Sequence, residues 1–121
     1  MEIRRLPDAE LQVMQALWDC ADPAARGDIE EKLAHPMAPT TLLTFLARLG
    51  EKGFLAARKE GRRSLYTPLV TREDYMAAQS RSFVDKVCLG SISAFASALC
   101  HSGLSREELA ELRRLLEEGE L

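Results

Sequence analysis

Apolar residues recur at helical spacing through most of the chain. From Asp8 the positions Leu11, Met14, Leu17 and Trp18 fall on one side of a helix. Pro7 marks its start, and Asp8 and Glu10 suit the positive end of its dipole. Asp22-Pro23 breaks the pattern, and a short second helix carries Ile29 and Leu33 one turn apart. After the turn His35-Pro36-Met37-Ala38-Pro39, Pro39 is placed as a first helical residue. The third helix, TTLLTFLARLGEK, has the clearest stripe: Leu42, Phe45, Leu46 and Leu49 at i, i+3, i+4 and i+7. Thr40, Thr44, Ala47 and Glu51 lie opposite, flanked by Leu43 and Arg48. Gly53 ends this helix, and the strand-like runs FLAARK and SLYTPL then enclose EGR as a hairpin.

The last third restarts with two capping signatures, Thr71-Arg-Glu-Asp74 and Ser105-Arg-Glu-Glu108. Met76, Phe83, Val84 and Val87 line the helix after the first; Leu109, Leu112, Leu115 and Leu116 line the helix after the second. Between them SISAFASALC places Ile92, Phe95 and Leu99 on one side. Three helices in about 50 residues cannot bury that much apolar surface alone, so a second copy of the chain is the expected cover.

These elements make a mainly α fold with a small β-hairpin. Three helices and then a hairpin, with a tight second-to-third connection, form a winged helix-turn-helix over residues 1–70. A helical dimerisation region follows over 71–121. Its expected contact residues are Met76, Phe83, Val87, Ile92, Phe95, Leu99, Leu109, Leu112 and Leu116.

Charge sharpens the reading. The 121 residues carry a formal net charge of −3, but residues 1–70 hold 10 basic against 10 acidic side chains. Residues 71–121 hold 6 against 9, while Arg48 to Arg63 alone carry 6 basic and 2 acidic. A local positive patch on a neutral module points to an anionic partner. In a winged helix the third helix enters the major groove and the wing lies along the backbone. Arg58, Lys59, Arg62 and Arg63 are then the phosphate contacts, and Thr40, Thr41, Thr44 and Arg48 face the bases. Two roles stay open for Arg48, a base or phosphate contact and a plain exposed helix charge. Thr40 can equally satisfy the helix N-terminus. The uncharged threonines and the neutral balance also suit a winged helix that binds protein instead of DNA.

Other classes recede. Only His35 and His101 are near-neutral bases, and no nucleophile–base pair, paired carboxylate or glycine-rich phosphate loop accompanies them, so no enzyme is expected. Cys20, Cys88 and Cys100 match neither a disulfide framework nor a metal motif, and no metal or cofactor is expected. No apolar run reaches the roughly 18 residues of a membrane span. MEIRRLPDAE has no apolar core of a signal peptide. A reduced, cytoplasmic chain is the expectation.

LPDAELQVMQALW and PTTLLTFLARLGEKGFLAARKEGRRSLYTPLVTREDY resemble the penicillinase repressor family (BlaI/MecI/CopY type), most closely from Pro39 to Tyr75. The resemblance implies a homodimeric transcriptional repressor with operator DNA as partner, controlling β-lactam resistance genes or, in one branch, copper handling. It further implies induction by cleavage in the dimerisation region, dependent on a membrane sensor peptidase. The matching segment is Ala98-Leu99, where familiar members carry Asn-Phe. Leu43 stands where a basic residue is common in the family, Ala47 where asparagine is common and Glu51 where lysine is frequent. The thiolate CxC motifs of the copper branch are missing, and Cys88, Cys100 and His101 do not supply that spacing.

Overall fold

A computed structural model describes residues 3–119. In chain order it contains α1 (Asp8–Trp18), β1 (Ala24–Ala25), α2 (Arg26–Lys32), α3 (Pro39–Glu51), β2 (Leu55–Glu60), β3 (Arg63–Pro68), α4 (Arg72–Lys86), α5 (Ile92–His101) and α6 (Arg106–Glu117). Three helices followed by a hairpin is the arrangement expected from the sequence. Packing divides the chain into two compact units, Met1–Gln79 and Ser80–Leu121.

The first unit is built around the predicted stripes. Val13, Met14, Ala16 and Leu17 of α1, Ile29 of α2 and Leu42, Leu46 and Leu49 of α3 are buried together with Phe54, Leu55, Tyr66 and Val70. Phe45, expected in the α3 stripe, is only half-buried at its margin. The sheet has three antiparallel strands in the order β1-β3-β2, where the sequence predicts two. Ala24 and Ala25 pair with Tyr66 and Leu65. Two alanines carry no strand signal of their own, so this pairing comes from tertiary packing.

Two local devices aim the hairpin. Gly53, at φ +82°, ends α3 in the left-handed region. Its N–H donates to the carbonyl of Gly50 at 3.1 Å, and the Phe54 N–H donates to that of Leu49 at 2.9 Å. This is a Schellman ending, with Leu49 and Phe54 both in the core beneath it. At the far end Glu60 pairs with Arg63 across a two-residue loop. Gly61, at φ +65°, takes the glycine position of a type II′ turn, which matches strand twist.

Glu10 is the one buried charged residue among those described. Sequence pattern assigns it to the helix dipole, but the Lys52 ammonium donates to its Oε1 at 2.6 Å, joining the start of α1 to the end of α3. The opening of α4 belongs to this same unit. The Leu6 N–H donates to the Tyr75 hydroxyl at 2.9 Å, and the Trp18 indole N–H donates to the Val70 carbonyl at 2.9 Å. Tyr75 packs its ring 5.9 Å from those of both Trp18 and Phe54. The division between units therefore falls inside α4, nine residues beyond the sequence-based boundary at 70/71.

The second unit is different in kind. Val84 is buried, and the Phe83 and Phe95 rings meet edge-on at 6.0 Å. Yet α5 and α6 contain no buried residue.

Candidate nucleic-acid interface

The amphipathic pattern of α3 fixes which side chains are left for a partner. With Leu42, Leu46 and Leu49 turned into the core, Thr40, Thr41, Leu43, Thr44, Ala47, Arg48 and Glu51 are all exposed. The Thr44 hydroxyl donates to the Thr40 carbonyl at 3.0 Å, so its proton is committed within the helix. Its methyl and oxygen lone pairs remain outward. The Arg48 guanidinium carbon lies 5.8 Å from the Phe45 ring centroid, which holds the cation against an aromatic face on the solvent side. The Thr40 side chain makes no cap bond here: the helix begins at Pro39, and Ala38 is the residue before it.

The hairpin turns the wing cations to different places. Side chains alternate across a strand, so Arg58 shares a face with its cross-strand partner Leu65, and Lys59 shares the other with Ser64. The Arg58 guanidinium sits 3.6 Å from Glu60 Oε2. Lys59, Arg62 and Arg63 instead line a groove of about 390 Å³ together with Ser64, Tyr66, Leu43 of α3, and Arg26 and Gly27 of α2. Among the described residues no carboxylate pairs with those three cations. Unpaired cations beside an exposed helix face can bind phosphate without first breaking an ion pair.

Sequence pattern places Arg58 in the same set, but it is not among the residues that line the groove. The pattern missed Arg26, which reaches the groove although its Nε lies 2.9 Å from Glu30 Oε1. Arg26 had no signal in the chain, because only the pairing of β1 with β3 brings the start of α2 beside the wing.

The residues expected at a dimer interface are presented outward. Met76 and Phe83 of α4, and Val87 just past its end, fall on one narrow stripe and are exposed, Val87 by 66%. Ile92 and Leu116 are exposed by 61% and 53%, while Phe95, Leu99, Leu109 and Leu112 are half-buried. Ala98 is exposed beside Leu99 within α5. Of the cysteines, Cys20 and Cys88 are half-buried and Cys100 is exposed. Burial, and after it Asp28, raises the Cys20 thiol pKa, and its Sγ–H donates to the Ala16 carbonyl at 3.3 Å. Among the described residues no helix is long and apolar enough to cross a membrane.

The profile of a family described as penicillinase repressor fits residues 6–118. The chain is 35% identical to the penicillinase repressor of Bacillus licheniformis, over 97% of this chain and 93% of that protein. It is 30% identical to the methicillin resistance regulatory protein MecI of Staphylococcus aureus (strain N315), over 92% of each. Among solved structures it is similar to the monomeric form of Bacillus licheniformis BlaI in complex with the blaP half-operator. There the identity is 36% and the TM-score 0.50, over 60% of this chain and 90% of that one.

Proposed function

The chain belongs to the penicillinase repressor family, and we infer from that premise and from its groove that it is a DNA-binding transcriptional repressor working as a homodimer. The observation that carries the DNA-binding part is the placement of Lys59, Arg62 and Arg63 beside the exposed face of α3. The cations hold backbone phosphates and set register; Thr40, Thr41, Thr44 and Arg48 meet base edges in the major groove. Similarity to a relative solved in complex with a half-operator supports DNA as the partner here.

The dimer is argued from the helices after the wing. Met76, Phe83, Val87, Ile92, Phe95, Leu99, Leu109, Leu112 and Leu116 offer apolar surface that the single chain leaves open, and a second copy covers it. Two linked winged helices then bind half-sites about one helical turn apart on a pseudo-palindromic operator, and the linkage multiplies two weak contacts into one firm grip. The names of its relatives support β-lactam resistance genes as targets. Cleavage near Ala98-Leu99, dependent on a membrane sensor peptidase, would release the grip by separating the copies. Residues 98 and 99 are helical, so α5 must open locally before a peptidase can cut there. Such a repressor acts in the cytoplasm.

Selection of bound sequences from random duplex DNA, followed by titration of the winner at several salt concentrations, tests this reading. A palindromic winner whose affinity falls steeply with salt is expected. Absence of any enriched sequence, with weak and salt-independent binding, would overturn it in favour of a winged helix that holds protein.

A further inference from the structure

The exposed face of α3 has a chemistry the basic wing does not suggest. Thr40, Leu43, Thr44 and Ala47 follow the i, i+3, i+4, i+7 spacing of one helix stripe, all are exposed, and none carries a charge. Their outward surface is largely methyl. Thr44 has committed its proton to the Thr40 carbonyl, so it can offer a base an acceptor and a methyl group, but no donor. Leu43 contributes nothing to the core at 43% exposure. It projects instead into the groove that Lys59, Arg62 and Arg63 line. An exposed leucine beside cations that anchor phosphate has a base edge as its nearest apolar partner. The apolar group that bases present in the major groove is the C5-methyl of thymine.

We propose that Leu43 is a specificity-determining residue that packs against a thymine methyl in each half-site. Thr40, Thr44 and Ala47 extend the same methyl-selective strip. The inference rests on the DNA-binding reading above and adds what the helix reads. Cytosine presents no methyl at that position, and guanine presents acceptors that neither leucine nor Thr44 can satisfy. Selection at the Leu43 position therefore comes from apolar contact, while the wing cations bind every sequence alike.

The test uses the full chain and the duplex selected as above. Each thymine of a half-site is replaced in turn by deoxyuridine, which removes the methyl and leaves base pairing intact. Affinities are measured for the unaltered chain, Leu43→Ala and Leu43→Met. At one thymine per half-site, loss of the methyl is expected to weaken the unaltered chain about fourfold, the worth of one buried apolar carbon. The same replacement should cost Leu43→Ala almost nothing and Leu43→Met nearly the full factor. Because Leu43 is exposed, both variants should keep the parent melting temperature and salt slope. Equal penalties in the parent and Leu43→Ala at every thymine, or no penalty anywhere, would overturn the inference while leaving DNA binding in place. Failure to select any duplex would overturn both together.

Discussion

The two units hold their helices by opposite means. In the first, the residues that precede α1, α2 and α3 (Pro7, Ala25 and Ala38) make no side-chain bond to the first turn. At α2 the Asp28 carboxylate accepts from the Ala25 N–H at 3.0 Å, but a methyl side chain cannot return the bond. These helices stand because Met14, Leu17, Ile29, Leu42, Leu46 and Leu49 are fully buried. Each of the three helices after the wing starts with a hydroxyl cap. Thr71 at the head of α4 accepts from the Asp74 N–H at 3.0 Å, Ser91 from Ala94 at 3.0 Å, and Ser105 from Glu108 at 3.0 Å. Ion pairs one turn apart join Arg81 to Asp85, Arg113 to Glu117 and Arg114 to Glu118. Local bonds of this kind are enough to bias a helix but not to replace a core. The first unit can stand on its packing, whereas α5 and α6 of the second hold no buried residue and rest on local bonds.

The largest test of that contrast is a pair of truncations to alanine. Leu46→Ala empties a fully buried site and should cost about 2–5 kcal/mol in urea unfolding of the first unit. Val87→Ala, with 66% of the residue already in solvent, should leave that transition unchanged and instead raise the dimer dissociation constant measured by sedimentation. If Val87→Ala destabilised the chain equally at all concentrations, the apolar stripe that ends at Val87 would be an internal contact, and the contrast would fail.

Glu10 sharpens the account of the first unit, since its packing includes one ion pair. The Glu10 side chain is 6% exposed and that of Lys52 28%. Glu10→Ala strands the ammonium, although Lys52 can still reach water, so the loss should be about 2 kcal/mol by thermal unfolding. Lys52→Met should recover part of it in the double variant, because both charges are then gone. A double variant no better than Glu10→Ala alone would mean that the cost lies in lost packing of the glutamate stem.

Periodicity made α1, α3, the hairpin and the apolar faces of the last helices legible, since each is a local pattern repeated over several turns. The exposed face of α3 followed directly from its buried one. Long-range facts were not legible. β1 is two alanines defined only by Tyr66 and Leu65 across the sheet, and Arg26 reaches the groove only through that pairing. Glu10 sits where a first-turn acid is ordinary, and nothing nearby announces Lys52, 42 residues away. Tyr75 was visible within a predicted helix, but its hydroxyl bond to the Leu6 N–H, which binds the start of α4 to the first unit, is a contact across 69 residues.

Within the first unit the groove separates binding from stability. Arg62→Ala with Arg63→Ala removes two exposed cations and should leave unfolding within about 0.5 kcal/mol of the parent. The same pair should lower the salt slope of operator binding by up to ~2 units, weakening all sequences alike. Arg58→Ala, whose guanidinium sits by Glu60 away from the groove, should change the slope by less than either of them. An equal effect of Arg58 would return it to the phosphate-binding set.

The smallest effect expected belongs to the caps. The Ser105 hydroxyl accepts from the Glu108 N–H, and the Glu108 carboxylate accepts from the Ser105 N–H at 2.8 Å, a complete capping box. Ser105→Ala removes one arm and should cost about 1 kcal/mol. The size of the effect should depend on assembly. In a dilute, monomeric sample α6 has no buried residue to hold it, so loss of the cap should appear as faster amide exchange at 106–109. In the proposed dimer, packing of Leu109, Leu112 and Leu116 would constrain the same turn, and the exchange difference from the parent should shrink. If the difference were the same in both states, α6 would owe nothing to a second copy, and the dimer would have to be built from α4 and α5 alone.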